Sequence, residues 1–312
     1  MAVEVRDGLV LRSTAGFIDI ETEDGVVHAR LRGRLKKEKR RTDLCVIGDR
    51  VKVRIEEGME PTVESVEERR SVFSRQHPGR GPHQEDVLIA NLDLLVCVFS
   101  VSLPLMKPSL VDRFLAIAEA NDMEAIVVLN KADEDPEGLE ECLELLEPHR
   151  ALGYELFVTS AADGRGIDAL RERIKGSISA FVGPSGVGKS SLLNRIEPGL
   201  DLRVGETSVV EGKGRHTTRV AALFPLSGGG YIADTPGIRE LAAFALDERS
   251  IARAFREIRA YEGRCAFRNC LHLEEPRCAV VAAVEAGEID AGRYDSYVKM
   301  LLGEERPDRH GA

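Results

Sequence analysis

The chemistry of this chain is concentrated in Gly183-Pro184-Ser185-Gly186-Val187-Gly188-Lys189-Ser190, which satisfies G-x-x-x-x-G-K-[ST] at every fixed position. Glycines in such a loop let backbone N–H groups turn onto phosphate oxygens. Lys189 then reaches the β- and γ-phosphates, and the Ser190 hydroxyl supplies a magnesium ligand. Ile178, Ala180, Phe181 and Val182 read as a short buried strand before the loop, and residues 191–196, starting at Ser191, as a helix after it. The helix N-terminus adds a positive dipole end to the same site. A chance glycine-rich turn would not be expected to carry both a strand and a helix.

Three further motifs say which nucleotide. Asn130-Lys131-Ala132-Asp133 comes directly after an apolar run at 125–129 and resembles the guanine-specificity motif N-K-x-D of GTPases. The Asp133 carboxylate would accept two hydrogen bonds, from the ring N–H and the exocyclic amine of guanine. Adenine cannot supply that pair, and an unpaired carboxylate is costly. Thr159-Ser160-Ala161 ends another apolar strand and resembles the accessory base-contacting loop, which makes Ser160 and Ala161 candidates. Asp234-Thr235-Pro236-Gly237 matches the D-x-x-G switch, with Asp234 holding magnesium through water and the Gly237 N–H sensing the γ-phosphate.

Gly214-Arg215-His216-Thr217-Thr218 lies where the first switch belongs. Thr218 is the expected ligand of magnesium and γ-phosphate, with Thr217 its alternative. Ras-like enzymes place a Gln just after D-x-x-G to orient the attacking water. Here that position is Ile238, so hydrolysis by the isolated protein is expected to be slow. His216 is the local candidate to position or deprotonate water; the competing reading is a solvent-exposed loop histidine.

The motifs occur in a permuted order. GTPases normally run phosphate loop, switch threonine, D-x-x-G, N-K-x-D and Ser-Ala loop, whereas this chain begins with N-K-x-D and ends with D-x-x-G. The usual termini are joined near Gly176, and the second switch leads directly into the C-terminal region. That region carries Cys265, Cys270, His272 and Cys278, spaced C-x4-C-x-H-x5-C, three thiols and an imidazole suited to one closed structural zinc site. Cys45, Cys97 and Cys142 are scattered and read as plain core or surface residues.

These motifs need strands and helices to present them. Apolar runs at 94–99, 125–129 and 155–159 alternate with helical patterns at 109–120, 138–146 and 167–174, the signature of a parallel, doubly wound α/β sheet with ligands at the strand carboxyl ends. Residues 1–70 look all-β. Val27, Ala29 and Leu31 alternate with His28, Arg30 and Arg32, and Val51, Val53 and Ile55 with Arg50, Lys52 and Arg54, predicting a small barrel with a cationic face. Both an oligonucleotide-binding (OB-like) barrel and an SH3-like barrel fit this pattern. Helical patterns flank the cysteines, through Ile251, Phe255 and Ile258 before and Tyr294, Tyr297, Val298 and Leu301 after.

The expected organisation is a barrel at 1–70, a Pro/Gly-rich linker at 71–86 with no regular element, a permuted GTPase domain at 87–243 and a mostly helical zinc-binding domain at 244–312. At 312 residues, with 43% hydrophobic and 31% charged side chains, the chain is long enough for several cores. Residues 1–70 hold 15 basic and 15 acidic side chains, so the net charge of −10 lies entirely in the rest. Within the neutral part, residues 30–41 contain eight basic side chains and only Glu38 as acid, either a solvated loop or a nucleic-acid footprint. No apolar run suggests a membrane span, and the N-terminus lacks a signal-peptide pattern, so a cytoplasmic location is expected.

The whole constellation resembles the ribosome-small-subunit-dependent GTPase A family, also called YjeQ or EngC: circularly permuted GTPases of late small-subunit maturation. The resemblance spans the barrel, the permuted GTPase and the cysteine cluster. It implies hydrolysis of GTP to GDP stimulated by the small ribosomal subunit, with ribosomal RNA as partner, Mg²⁺ and one Zn²⁺ as cofactors, no membrane, and a monomer. Two rivals are a GTP-dependent RNA-binding switch with negligible hydrolysis, which Ile238 favours, and an ATP-driven RNA-remodelling enzyme, which Asp133 opposes.

Overall fold

The computed structural model describes residues 3–14, 17–31, 45–76, 85–200, 221–234, 246 and 248–303. Along them run β1 (Val3–Thr14), β2 (Phe17–Thr22), β3 (Gly25–Leu31), β4 (Arg50–Glu56), β5 (Thr62–Val66), β6 (Val72–Gln76) and β7 (Glu85–Ala90). Then come β8 (Leu94–Ser100), α1 (Pro108–Ala120), β9 (Glu124–Asn130), α2 (Pro136–Leu145), α3 (Glu147–Ala151), β10 (Glu155–Val158) and α4 (Ile167–Ile174). The chain continues through β11 (Ile178–Val182), α5 (Lys189–Ile196), β12 (Ala222–Pro225), β13 (Tyr231–Asp234), α6 (Glu248–Ala254), α7 (Arg256–Arg259), α8 (Ala279–Glu285) and α9 (Ala291–Leu302). The elements group into two compact units, Met1–Leu94 with Arg171–Phe181 and Glu197–Arg239, and Leu95–Leu170 with Val182–Ile196 and Glu240–Ala312.

In the first unit β1 to β5 close a five-stranded barrel in the order β1-β2-β3-β5-β4, with β1 pairing back onto β4. The β3–β5 pair is parallel and the others antiparallel, which selects the oligonucleotide-binding topology over the SH3-like alternative. The period-2 pattern packs the interior with Val10, Ile18, Ile20, Ala29, Val51, Val53 and Val63. A Cβ at Gly8 would lie 2.3 Å from the Ile20 side chain, so strand β1 needs glycine there. The cationic face takes a different form from the expected one. Arg30 pairs with Glu60 at 3.0 Å, Lys52 with Asp7 at 2.6 Å and Arg54 with Glu56 at 3.2 Å, and the His28 ring bonds Asp19. The acids of this region are interleaved with its bases along the chain, and the strands bring Asp7, Asp19, Glu56 and Glu60 beside basic side chains. The basic residues from Arg32 to Arg41 lie outside the described residues.

Beyond the barrel β1 pairs with β12 at Arg12 and Ala222, β12 is antiparallel to β13, and β13 is parallel to β11. Segment 71–86, read as a structureless linker, carries β6 and the start of β7 instead, paired antiparallel with Phe73 and Ile89 fully buried. Pro78, Gly79, Gly81 and Pro82 all fall between those strands, outside the described residues.

In the second unit the strand order is β10-β9-β8, with β9 and β10 parallel. All seven residues of β8 are buried, as the continuous apolar run requires. Helix α2 starts at Pro136, earlier than the apolar pattern alone indicates, because Asp135 caps it by accepting the Gly138 N–H at 2.9 Å. The helical pattern through Ile251, Phe255 and Ile258 is broken at Phe255, whose backbone is extended, into α6 and α7. These helices, α8 and α9 pack around Phe255, Ile258, Val280 and Tyr297, and Ala116 of α1 belongs to the same core. Under that core lies a buried ionic cluster: Arg293 donates to Glu257 and to Asp112, and the ring of His149 bonds Asp112 at 2.6 Å. No helix among the described residues is long and apolar enough to cross a membrane.

Candidate functional site: a nucleotide cradle and a metal cluster

Three loops of the second unit meet around Asn130. Its side-chain amide donates to the carbonyl of Val187 in the phosphate loop at 2.9 Å, and its carbonyl accepts the Thr159 hydroxyl at 3.2 Å. Asn130 and Thr159 are buried, so these bonds are made away from water and fix the phosphate loop to the ends of β9 and β10. Backbone bonds repeat the connection: the Ala132 N–H donates to Thr159 O at 3.1 Å and the Thr159 N–H to Leu129 O at 2.8 Å. Thr159 thus links the loops after β9 and β10, a contact that spacing did not reveal because it spans 29 residues.

The phosphate loop has the conformation its glycines predict. Gly183 has φ 143° and Gly188 φ 90°. A Cβ at Gly183 would stand 2.0 Å from Val98 O, and one at Gly188 2.5 Å from the Asn130 amide nitrogen. The Lys189 ammonium curls over the loop and donates to Gly183 O and Pro184 O, both at 2.7 Å. The ammonium thus lies over the loop, held by two carbonyl oxygens. Ser190 and Ser191 occupy the first turn of α5 and are half-buried, Ser185 and Gly186 are exposed, and Val187 is buried.

Lys131 has a left-handed backbone, φ 62°, and its ammonium donates to Leu103 O at 2.7 Å. Asp133 is exposed. Ser160 is buried, and its hydroxyl accepts the Asp163 N–H at 3.1 Å; Ala161 comes next, half-buried. Asp234 ends β13 in the first unit, half-buried. Gly237, Ile238, His216, Thr217 and Thr218 lie outside the described residues.

Also in the second unit, Cys265, Cys270, His272 and Cys278 bring their ligand atoms within 4.8 Å of one another. Cys265 Sγ lies 3.5 Å from His272 Nδ1 and 3.9 Å from Cys278 Sγ, and His272 Nδ1 is 3.4 Å from Cys278 Sγ. A tetrahedral ion with bonds of about 2.0–2.3 Å requires ligand–ligand edges of about 3.5–3.8 Å, so the set fits. Backbone N–H groups point at the sulfurs, from Ala279 to Cys265 at 3.3 Å and from Val281 to Cys278 at 3.5 Å. The knuckle is held from behind by the hydroxyls of Tyr294 and Tyr297, which donate to His272 O and Leu271 O, each at 2.6 Å. Burial lowers the pKa of His272, favouring the neutral imidazole that ligates. Burial also raises Cys270 to about 12 without a metal, so thiolate there requires a cation. Cys45 and Cys97, by contrast, are buried thiols pushed up by desolvation alone or chiefly by it, and lie in packed cores.

Comparison with known proteins agrees with this geometry. The RsgA GTPase family matches residues 66–244, and the RsgA N-terminal domain family matches residues 7–63. A protein of Gemmatimonas aurantiaca named small ribosomal subunit biogenesis GTPase RsgA is 43% identical over 297 residues, covering 94% of this chain and 95% of its own. A Moorella thermoacetica protein of the same name is 41% identical, covering 95% and 96%. Among solved structures, YjeQ from Thermotoga maritima superposes with a TM-score of 0.79 at 34% identity, covering 97% of this chain and 100% of that one. YloQ, described as a circularly permuted GTPase, gives 0.76 at 31% identity and 97% coverage of both chains. With a barrel, a permuted set of nucleotide loops and matches of this extent, the chain belongs to the RsgA family of GTPases.

Proposed function

We propose that this protein hydrolyses GTP in the biogenesis of the small ribosomal subunit, as the names of its relatives state for them, and that the subunit stimulates it. The observation that supports the reading is the Asn130 junction, whose buried hydrogen bonds join the glycine-rich loop at 183–190 to the loops after β9 and β10. In this reading Asp133 accepts the ring N–H and amine of guanine, beside Asn130 and Lys131, while Ser160 and Ala161 close the base pocket. Residues 183–191 wrap the phosphates, with Lys189 leaving its two carbonyls to neutralise the β- and γ-phosphates. Ser190, Thr218 and Asp234 would hold magnesium, which, when bound, offsets phosphate charge. Gly237 senses the γ-phosphate. Ile238 offers nothing to orient water, so His216 is assigned that task, and turnover by the isolated protein is slow.

The metal of the cysteine cluster is assigned as one zinc ion with a structural role, because three thiolates and one imidazole leave no open position. Ribosomal RNA is the assigned partner of the barrel (1–70) and of the helical domain (244–312), on either side of the segment 71–86 and the GTPase domain (87–243). The protein would act as a cytoplasmic monomer. The test is phosphate release from GTP titrated with purified small subunits. A rise of about tenfold or more is expected; equal, negligible release with and without subunits would refute the assignment.

A further inference from the structure

The loop after β8 is not part of any nucleotide motif, yet it is bonded to the one that reads the base. The Val101 N–H donates to Asn130 O at 3.0 Å, and Leu103 O accepts the Lys131 ammonium at 2.7 Å. The Ser102 hydroxyl donates to the carboxylate of Glu134, and the same carboxylate lies 4.0 Å from the Lys131 ammonium. The Glu134 N–H donates to Lys131 O at 3.0 Å, closing a tight turn whose two inner residues are Ala132 and Asp133. Lys131 and Glu134 are therefore each tied to residues 102–103, and Asp133 lies between them.

Asp133 itself is exposed and forms no side-chain hydrogen bond among the described residues. That freedom leaves both oxygens for a base, but it also means that nothing on the side chain sets their direction. The direction has to come from the backbone of residues 131–134. Lys131 holds a left-handed φ of 62°, which a lysine disfavours and which its neighbours must therefore impose. A single surface hydrogen bond would do little. Here four groups, Leu103 O, the Lys131 ammonium, the Glu134 carboxylate and the Ser102 hydroxyl, form one connected set. The same loop also abuts the phosphate loop, since a Cβ on Gly186 would be 3.5 Å from Pro104.

We propose that Ser102 and Glu134 are positioning residues for guanine recognition, acting by fixing the turn that aims the Asp133 carboxylate. The inference rests on the reading of Asp133 as the base acceptor. Two bonds to guanine demand both oxygens in place, whereas hypoxanthine, which lacks the exocyclic amine, offers Asp133 one donor. Loosening the turn therefore costs more with a guanine nucleotide than with a hypoxanthine nucleotide.

The experiment measures GDP and IDP affinity for the full chain and for Ser102→Ala, Glu134→Ala and Ser102→Thr. The two alanine variants should weaken GDP about three- to tenfold and IDP less, lowering the GDP/IDP ratio, while the threonine variant, which keeps the hydroxyl, stays near the parent. Equal losses for both nucleotides, or no loss, would overturn the proposal, because a merely structural contact does not change base discrimination. Asp133→Asn separates the two layers. If it retains GDP preference, the base-acceptor reading falls. If it loses that preference while the Ser102→Ala ratio stays constant, only the positioning role falls.

Discussion

Replacing Arg293 with Met tests how the second unit is held together. The Arg293 guanidinium is only 3% exposed and makes three charge-assisted bonds: Nε to Glu257 at 2.5 Å, Nη2 to Glu257 at 3.2 Å and Nη1 to Asp112 at 2.5 Å. Burial works to lower its pKa, but the Glu257 bonds and the nearby Asp112 charge prevail and raise it, so the charge stays on. Met keeps most of the apolar stem, and with it the packing near the Phe255 ring, whose centroid lies 5.2 Å from the guanidinium carbon. What is lost is the compensation of two buried carboxylates. Removing one partner of a buried pair costs about 3–5 kcal/mol. Asp112 retains His149, so the lower end, ~3 kcal/mol, is expected. For a unit of 150–250 residues that is a fall in Tm of about 6–12 °C. Calorimetry with and without GDP reads it. The decisive control is Arg293→Met with Glu257→Gln, which removes the orphaned charge and should recover part of the loss. A double variant no more stable than the single one would refute the account, since the penalty would then come from packing rather than from an uncompensated carboxylate.

Two further predictions concern the functional elements. Gly188→Ala places a Cβ 2.5 Å from the Asn130 amide in a backbone at φ 90°, so strain plus loss of the Val187 bond should cost about 2–4 kcal/mol, roughly 30- to 700-fold in GDP affinity by fluorescence titration; a change under about threefold would contradict the geometry. Purified protein should carry about one zinc per chain, and its uptake by stripped protein should release about two to three protons, because thiols such as Cys270, held protonated by burial, must ionise. Uptake should therefore weaken as pH falls, and calorimetry in buffers of different ionisation enthalpy counts the protons; zinc binding independent of pH would mean that the thiols do not ligate.

The sequence by itself singled out the glycine-rich loop, Asp133, the Ser160 loop, Asp234 and the Cys265–Cys278 set as candidates, because each is a local pattern whose chemistry depends on residue type and spacing within a few positions. It also predicted the alternation of buried strands and helices, since an unbroken run of six apolar residues, Leu94 to Phe99, can only be covered on both faces. Tertiary structure decided what depends on residues far apart in the chain. Lys52 meets Asp7 only when β4 pairs with β1, and Arg30 reaches Glu60 only when the end of β3 lies beside the start of β5, so described cations of the expected basic face are engaged in ion pairs. The strands at 72–76 and 85–90 were hidden by the proline and glycine between them, because composition reports the turn and not the partners it joins. Asp112, His149, Glu257 and Arg293 carry no local signature, because the contacts that join them span up to 181 residues. The tie from Ser102 and Leu103 to the turn at residues 131–134 was equally invisible, since a hydroxyl and a backbone carbonyl carry no signature until folding places them beside Lys131 and Glu134.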